Sequence, residues 1–292
     1  MPANLPPLTG AAAVPVVVLA SAVLHAVWNA LAHGLRDKLA GFTLISLASA
    51  GCGAVLVCFV PPPEPAAWPY IAASAALQAA YQLLLLRAYQ LGDFGQMYPT
   101  ARGTSPLVVT LVSTTLLGHP LPAGQAVGVA VISCGLAALA LADGMPGRAQ
   151  LPALAAALGT GVMIASYTLV DGSGVRVSGS VPGYIAWLFL GQGLVLPLIA
   201  WTVRGPALLT ALRPMWGRGL VGGLLSLLAY GLVVWAQARG DLPTIAALRE
   251  TSIVFGTLIG AVVFRERLGH RRITAGVTVL AGIAVLRFTG GS

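Results

Sequence analysis

Ten apolar stretches, most of them about twenty residues long, fill nearly all of this 292-residue sequence. Hydrophobic residues make up 57% of the chain and charged residues only 8%, whereas a soluble domain carries about 25% charged residues. A helix needs about 20 apolar residues to cross a bilayer, and membrane barrel strands instead alternate apolar and polar residues. Because the apolar runs are continuous, the sequence predicts an all-α polytopic membrane protein with ten transmembrane helices.

Breaker-rich or polar segments separate the predicted spans, and they are predicted loops at 34–38, 61–65 (PPPEP), 117–122, 143–148, 171–180 (DGSGVRVSGS), 204–214 and 265–272. The apolar run after the N-terminal MPANLPPLTG is too long for the core of a signal peptide, and no basic residue precedes it. We therefore expect this run to be kept as the first span. The ten spans are 11–33, 40–60, 66–90, 94–117, 122–142, 150–170, 181–203, 216–238, 243–264 and 270–288.

A Gly-Asp pair between two spans occurs twice, as Gly92-Asp93 and again, 148 residues later (240 − 92), as Gly240-Asp241. When the two pairs are aligned, Arg102 falls on Glu250. Each half of the chain holds five predicted spans, an odd number, so equivalent spans cross the bilayer in opposite directions. The sequence therefore predicts two inverted five-helix repeats, 1–145 and 146–292.

Three charged residues fall deep inside predicted spans, away from the span ends, namely Arg102, Arg249 and Glu250. An isolated charge in lipid is costly, so these groups are expected to pair. Glu250 is predicted to be the only acidic residue deep in a span. Two interpretations stay open at this point. Either Glu250 exchanges partners among the two arginines, a proton and a substrate, or it forms a permanent structural pair.

Polar and aromatic side chains recur at helical spacing on several spans. An unpaired amide in hydrocarbon is strongly unfavourable, so such a stripe should face protein or water. Aromatic rings mixed with amides are suited to binding an amphipathic solute, although the same residues also join helices in membranes. The candidate substrate-binding residues are Trp28 and Asn29 on the first span, Gln78, Tyr81 and Gln82 on the third, Tyr167 on the sixth and Tyr230 on the eighth.

Pro99 and Pro106 lie inside the fourth span. Each removes a helical hydrogen-bond donor, so the helix is able to bend there. We predict that they act as a hinge, with a static kink as the alternative.

Several function classes find no support in the sequence. The net charge of +8 comes from basic residues spread over loops and span ends, which fits lipid headgroups better than nucleic acid. The three cysteines all lie in apolar spans, and no Cys/His cluster, HExxH or GxSxG motif is present. We therefore expect no metal, no cofactor and no catalytic site.

Three segments together resemble the EamA-type members of the drug/metabolite transporter superfamily: LHAVWNALA (24–32), GDFGQMYPTARGTSPL (92–107) and GDLPTIAALRETSIVFGTLIGAVVFRERL (240–268). The resemblance covers nearly the whole chain. It implies an exporter or exchanger of small metabolites, amino acids or drugs, with a substrate cavity between the halves. The positions that match recurrent residues of the family pattern are Trp28, Asn29, Tyr98, Arg102, Arg249 and Glu250. The resemblance thereby adds Tyr98 to the candidate substrate-binding residues.

The distribution of basic residues predicts an orientation that differs from the habit of this family, which keeps both termini in the cytoplasm. Basic residues concentrate on the cytoplasmic side of membrane proteins. Here eleven lie on the side opposite the termini, against three on the side of the termini (Arg176, Arg239 and Arg287). The count therefore favours periplasmic termini.

Together these features predict a multi-pass secondary transporter of the cell inner (plasma) membrane, working by alternating access as a monomer or homodimer. Its partners would be a small-molecule substrate and the lipid bilayer, and proton coupling through Glu250 is a further expectation. Two alternatives stay open, a structural or assembly protein without transport and, less favoured, an intramembrane enzyme acting on lipids. A channel would need a continuous polar lining, which the stripes do not clearly supply.

Overall fold

The computed structural model describes residues 13–115, 122–140, 147–263 and 270–289, and every regular element within these ranges is helical. Short 3₁₀ turns at Pro65–Ala67, Arg148–Gln150 and Arg213–Met215 precede α3, α6 and α9. The helices are α1 (Ala13–His33), α2 (Lys38–Val57), α3 (Trp68–Leu91), α4 (Phe94–Thr115), α5 (Ala123–Ala140), α6 (Leu151–Arg176), α7 (Val181–Arg204), α8 (Ala207–Leu212), α9 (Trp216–Gln237), α10 (Leu242–Arg249), α11 (Ser252–Val263) and α12 (His270–Thr289).

Seven helical segments of the described residues are long and apolar enough to cross a membrane. The prediction of an all-α, multi-pass membrane protein is therefore confirmed, whereas the count of ten spans stays a prediction. The predicted N-terminal tail and the predicted loops at 117–122, 143–148 and 265–272 lie wholly or partly outside the described residues. The seven segments are Ala13–His33, Lys38–Val57, Pro65–Leu91, Arg148–Arg176, Val181–Arg204, Ala207–Gln237 and Leu242–Val263.

The two Gly-Asp pairs occupy the same kind of helix junction. Gly92 follows the last residue of α3, and its N–H donates to the carbonyl of Ala88 at 3.0 Å. Asp93 directly precedes α4. Asp241 is the N-cap of α10, where its carboxylate accepts a hydrogen bond from the N–H of Thr244 at 2.9 Å. Glycine ends one helix and aspartate begins the next, which accounts for the repeated dipeptide.

Close approach at glycine holds α2 against α7 and α5 against α12. A Cβ atom at Gly53 would lie 2.8 Å from the carbonyl oxygen of Ala186, and one at Gly282 would lie 2.7 Å from the backbone nitrogen of Ile132. Small residues let membrane helices pack closely, because lipid supplies no hydrophobic drive between them. Glycine is therefore a packing residue along both pairs.

The helix neighbours follow the same pattern in both halves of the chain. The second helix of the first half, α2, packs on α7, and the last, α5, packs on α12. The contact of α3 with α6 has its counterpart in the contact of α1 with α9. Likewise α4 packs on α6, and α10 and α11 pack on α1.

Polar contacts join α2 and α7 at both ends of the helix pair. At one end Asp37 caps α2, accepting from the N–H of Ala40 at 3.1 Å, and also forms an ion pair with Arg204, the last residue of α7. At the other end Ser180 caps α7, and its hydroxyl donates to the carbonyl of Pro61 at 3.1 Å.

Three details of the sequence prediction are wrong. The predicted loop at 171–180 begins too early, because α6 continues to Arg176. Gly172 lies in the helix and serves close packing, since a Cβ atom there would lie 2.5 Å from the side chain of Leu242, whereas Gly179 lies in the turn after α6 with a φ of +63°. The loop predicted at 204–214 contains the short helix α8. The ninth span is not continuous, since α10 ends at Arg249 and α11 begins at Ser252.

Candidate functional site

One cavity lies between helices of both predicted halves, namely α1, α2, α3, α6, α7 and α9. Its free volume is about 40 Å³, which is room for a few water molecules. Six predicted substrate-binding residues line it, namely Trp28, Gln78, Tyr81, Gln82, Tyr167 and Tyr230.

Aromatic rings meeting edge to face form much of the cavity wall. The ring centroids of Tyr81 and Tyr167 are 5.6 Å apart, and those of Tyr167 and Tyr230 are 5.3 Å apart. Phe189 lies 6.3 Å from Tyr230 on the side of α7. Such pairs stabilise each other through their ring quadrupoles. They also present faces and hydroxyls on which an amphipathic solute would stack and form hydrogen bonds.

Some polar groups of the wall already join helices. The hydroxyl of Ser46 on α2 donates to Oε1 of Gln82 on α3 at 2.7 Å. The hydroxyl of Ser49 donates to the carbonyl of Gly223 on α9 at 3.1 Å. The interhelical role and the cavity role therefore coexist in one set of residues. By contrast, Oε1 of Gln192 has no hydrogen-bond partner among the described residues.

Sequence reasoning missed several lining residues, among them Phe42, Phe189 and Gln192. Gln192 carried a usable signal, because it is the single amide within the apolar run of α7. His25 on α1 also lines the cavity.

Asn29 and Tyr98 do not belong to the lining. Nδ2 of Asn29 donates to the carbonyl of His25 at 2.8 Å, and its Oδ1 accepts from the hydroxyl of Tyr89 at 3.1 Å, so Asn29 ties α1 to α3. Tyr98 is stacked on Phe94, with ring centroids 5.0 Å apart. Both side chains are buried, at 1% and 2% exposure.

The predicted charge pair is present and buried. Nη1 of Arg102 lies 4.0 Å from Oε1 of Glu250, and these residues are 3% and 0% exposed. The Arg102 guanidinium also lies 5.6 Å from the centre of the Tyr98 ring. Removing two charges from water is costly and is offset by their attraction only when the pair stays together.

The ninth span is interrupted at this pair. The N–H groups of Glu250 and Thr251 donate to the carbonyls three residues earlier, Ala247 and Leu248, each at 3.1 Å. A short 3₁₀ segment inside a helix often marks a functional hinge. In contrast, α4 continues through the buried Pro99 and Pro106, so their hinge role stays a prediction.

Arg249 is the last residue of α10 and is fully buried, at 0% exposure. Its Nη1 lies 3.5 Å from the hydroxyl of Thr168 on α6, a long contact. Its Nε and Nη2 atoms have no hydrogen-bond partner in the described part of the chain, and the same is true of both carboxylate oxygens of Glu250.

A second buried acid, Asp171 on α6, was not among the predicted site residues, and Glu250 is therefore not the only deep carboxylate. Asp171 is 0% exposed and accepts hydrogen bonds from the hydroxyls of Tyr184 at 2.8 Å and Tyr230 at 2.5 Å. Nε2 of Gln78 approaches it at 3.5 Å. Because Tyr230 and Gln78 both line the cavity, Asp171 stands directly behind the cavity wall.

Residues 151–288 match the model of the EamA-like transporter family. Over this segment, the match confirms the resemblance to EamA-type transporters that the sequence motifs indicate. The matched segment contains Arg249 and Glu250, two of the three charged residues predicted deep in spans. It also contains Tyr167 and Tyr230, which line the cavity, and Asp171 behind the cavity wall.

A solved crystal structure shares the fold beyond the matched segment. It superposes on 94% of this chain and 98% of its own, with a TM-score of 0.71 at 18% sequence identity. At that identity the likeness concerns the fold alone. Among curated proteins, no sequence matches the chain.

Proposed function

We propose that this EamA protein is a secondary transporter of ten spans, which moves a small solute across the cell inner membrane by alternating access between two inverted halves, 1–145 and 146–292. The observation that carries the proposal is the Arg102–Glu250 contact, 4.0 Å long and fully buried. The two residues occupy matching positions of the repeated Gly-Asp segments. A charge pair between the halves, beside an aromatic cavity, is what a carrier needs at its centre.

The helix contacts support the division into two halves. The contact of α3 with α6 has its counterpart in that of α1 with α9, and the contact of α2 with α9 has its counterpart in that of α3 with α7. An inverted repeat gives this pattern, because a pseudo-twofold axis in the membrane plane maps one half onto the other. Alternating access would then be a rocking of the halves about that axis.

The proposed solute is a small metabolite, an amino-acid-like compound or a drug, exported or exchanged. The cavity of about 40 Å³ is too small for any of these, so this conformation corresponds to an occluded state. Tyr81, Tyr167 and Tyr230 would have to separate to admit a solute. Their edge-to-face contacts have no covalent or ionic component that opposes such a movement.

A ligand screen by thermal stabilisation tests the proposal. The purified protein is heated with amino acids, nucleosides and cationic drugs, and the unfolding temperature is recorded. A ligand at 100 times its dissociation constant adds about 2.7 kcal/mol of stability. We expect a hit that weakens in Tyr167→Ala. A structural protein without a carrier site would give no hit across the library, and no uptake of any compound by proteoliposomes.

Proton coupling through Glu250 is the finer part of the proposal. In proteoliposomes loaded with a solute found by the screen, Glu250→Gln is expected to keep the fold and to abolish transport driven by a pH gradient. Exchange of the same solute without a gradient serves as the control. Full gradient-driven transport by a folded Gln variant would remove Glu250 from the coupling.

A further inference from the structure

Among Arg102, Arg249 and Glu250, the three charged residues where α10 meets α4, two are positive and one is negative. Arg102 and Glu250 contact each other, which leaves Arg249 without an ion-pair partner among the described residues. A fully buried, uncompensated charge is unfavourable by several kcal/mol. We therefore expect Arg249 to pair with an anion other than the carboxylate of Glu250.

The donors of Arg249 are available for such an anion. Nε and Nη2 have no hydrogen-bond partner, and Nη1 makes only the 3.5 Å contact with Thr168. Nε and one Nη atom of a guanidinium form the planar pair that binds a carboxylate in two parallel hydrogen bonds. The free donors of Arg249 therefore suit a carboxylate better than a lysine ammonium in the same place would, because an ammonium is a point charge without this planar pair.

Arg249 is also close to the cavity. Thr168 is the neighbour of Tyr167 on α6, and Tyr167 lines the cavity. Both arginines are near enough for their charges to act on the phenol of Tyr167. A solute held among Tyr81, Tyr167 and Tyr230 would therefore have one end directed towards the guanidinium.

Asp171 is the competing partner within the protein. It lies one helical turn beyond Thr168 on α6, but its two oxygens are held by Tyr184 and Tyr230. It forms no ion pair with Arg249 within the described residues. The local hydrogen bonds thus direct the Asp171 carboxylate to α7 and α9 and away from α10.

We infer that Arg249 binds the anionic group, a carboxylate, of the transported solute. The inference rests on the proposed function and names the chemistry by which the same site recognises its substrate. Binding would give Arg249 an ion-pair partner at the break between α10 and α11. An empty carrier would hold an unpaired guanidinium there, and a loaded one would not.

Matched acid and amide probes test this inference on the wild-type protein, so no variant has to fold. The probes are phenylacetate against phenylacetamide, and L-phenylalanine against L-phenylalaninamide, in thermal stabilisation at equal concentrations. We expect each acid to bind about 10- to 100-fold more tightly than its amide, the range that corresponds to a charge-assisted hydrogen bond. Equal binding of acid and amide would overturn the inference and leave the carrier proposal standing.

Variants and an inorganic anion complete the design. Arg249→Gln should remove the preference for the acid and Arg249→Lys should keep part of it, whereas Asp171→Asn should leave the preference intact. If a folded Arg249→Gln protein prefers the acid as strongly as wild type, the inference is wrong.

If chloride stabilises the wild type as much as phenylacetate does, the site is an inorganic anion site and not a substrate site. Binding of amides or cations alone also counts against the inference, and binding of no probe together with no transport counts against both proposals.

Discussion

Arg102 and Glu250 contact each other at 4.0 Å, although they lie the same 148 residues apart as the two repeated Gly-Asp pairs. Each is the ninth residue of its helical segment, counted from Phe94 and from Leu242. At about 1.5 Å of rise per residue, both lie at a similar distance from the start of helices that the proposed inverted repeat would orient in opposite directions. Equivalent positions of an inverted repeat touch only near its axis, so this pair marks where that axis would pass.

Removing one member of the pair should destabilise the protein strongly. Arg102→Met leaves the Glu250 carboxylate buried without its partner, and we expect a loss of about 3–5 kcal/mol in the free energy of unfolding. The double variant Arg102→Met/Glu250→Met should lose far less than the sum of the single losses. The measurement is denaturant unfolding in detergent. Additive losses would show that the two residues are not coupled, and the exposed Arg239→Met serves as the control.

The bonds to Asp171 give a second test. Tyr184→Phe and Tyr230→Phe each remove a hydroxyl that donates to the buried carboxylate, so each should cost about 1–3 kcal/mol of stability. Tyr81→Phe is the matched control, because the Tyr81 hydroxyl has no hydrogen bond to the described residues. Unfolding midpoints of the three variants decide the matter. If all three shift the midpoint equally, the Asp171 network contributes nothing specific.

Two glycines on one helix distinguish packing from helix propensity. A Cβ atom at Gly53 would press on the backbone of α7 at 2.8 Å, whereas one at Gly51 would meet nothing within 4 Å. Gly53→Ala should therefore cost about 1–3 kcal/mol through overpacking. Gly51→Ala should stabilise α2 by up to about 1 kcal/mol. Thermal unfolding of the two variants should shift in opposite directions, and a common direction would contradict the close α2–α7 contact.

The pair of Asp37 and Arg204 predicts a pH dependence. The hydrogen bond from Arg204 lowers the pKa of the Asp37 carboxyl below its usual value of 3.8. A lowered folded-state pKa means that the pair stabilises the protein above the usual carboxyl range and loses this effect as the pH falls through the lowered value. The difference in midpoint between wild type and Arg204→Ala should thus be constant above the usual carboxyl range and should shrink as the pH falls below 3.8 and through the lowered pKa.

The same pair has a second consequence that a different variant measures. Because both side chains are about one third exposed, the pair itself should contribute no more than about 1 kcal/mol. Asp37→Ala should cost about 1 kcal/mol more than Arg204→Ala, since it also removes the N-cap of α2. Equal losses in the two variants would show that the cap contributes nothing.

Features that follow from composition and local spacing could be predicted from the sequence. Continuous apolar runs give helices in lipid whatever their neighbours are, and the aspartate after a helix-ending glycine begins the next helix at Asp241 by purely local bonding. The burial of Arg102 and Glu250 also followed, because a charge in an apolar run has few other options.

Features that depend on contacts between distant helices could not be predicted. Asp171 lies in DGSG, a pattern typical of a loop, yet it is helical because Gly172 fits against Leu242, seventy residues away (242 − 172). Sequence favoured a bend at Pro99 and Pro106, whereas the interruption lies at Glu250 and Thr251, where neither proline nor glycine stands. The placement of Tyr98 against Phe94 and not in the cavity likewise reflects packing that no local pattern encodes.

The polar contacts at the two ends of the α2–α7 pair differ, because one is ionic and the other is neutral, and this difference affects the proposed carrier cycle. Asp37 and Arg204 hold one face by opposite charges, while Ser180 and Pro61 hold the other by a neutral hydrogen bond. Dissolved ions screen the first and leave the second almost untouched. In the proposed carrier, a repeat of perfect symmetry would populate its two symmetry-related conformations equally, whereas here the ionic strength at one membrane surface would shift the balance between them.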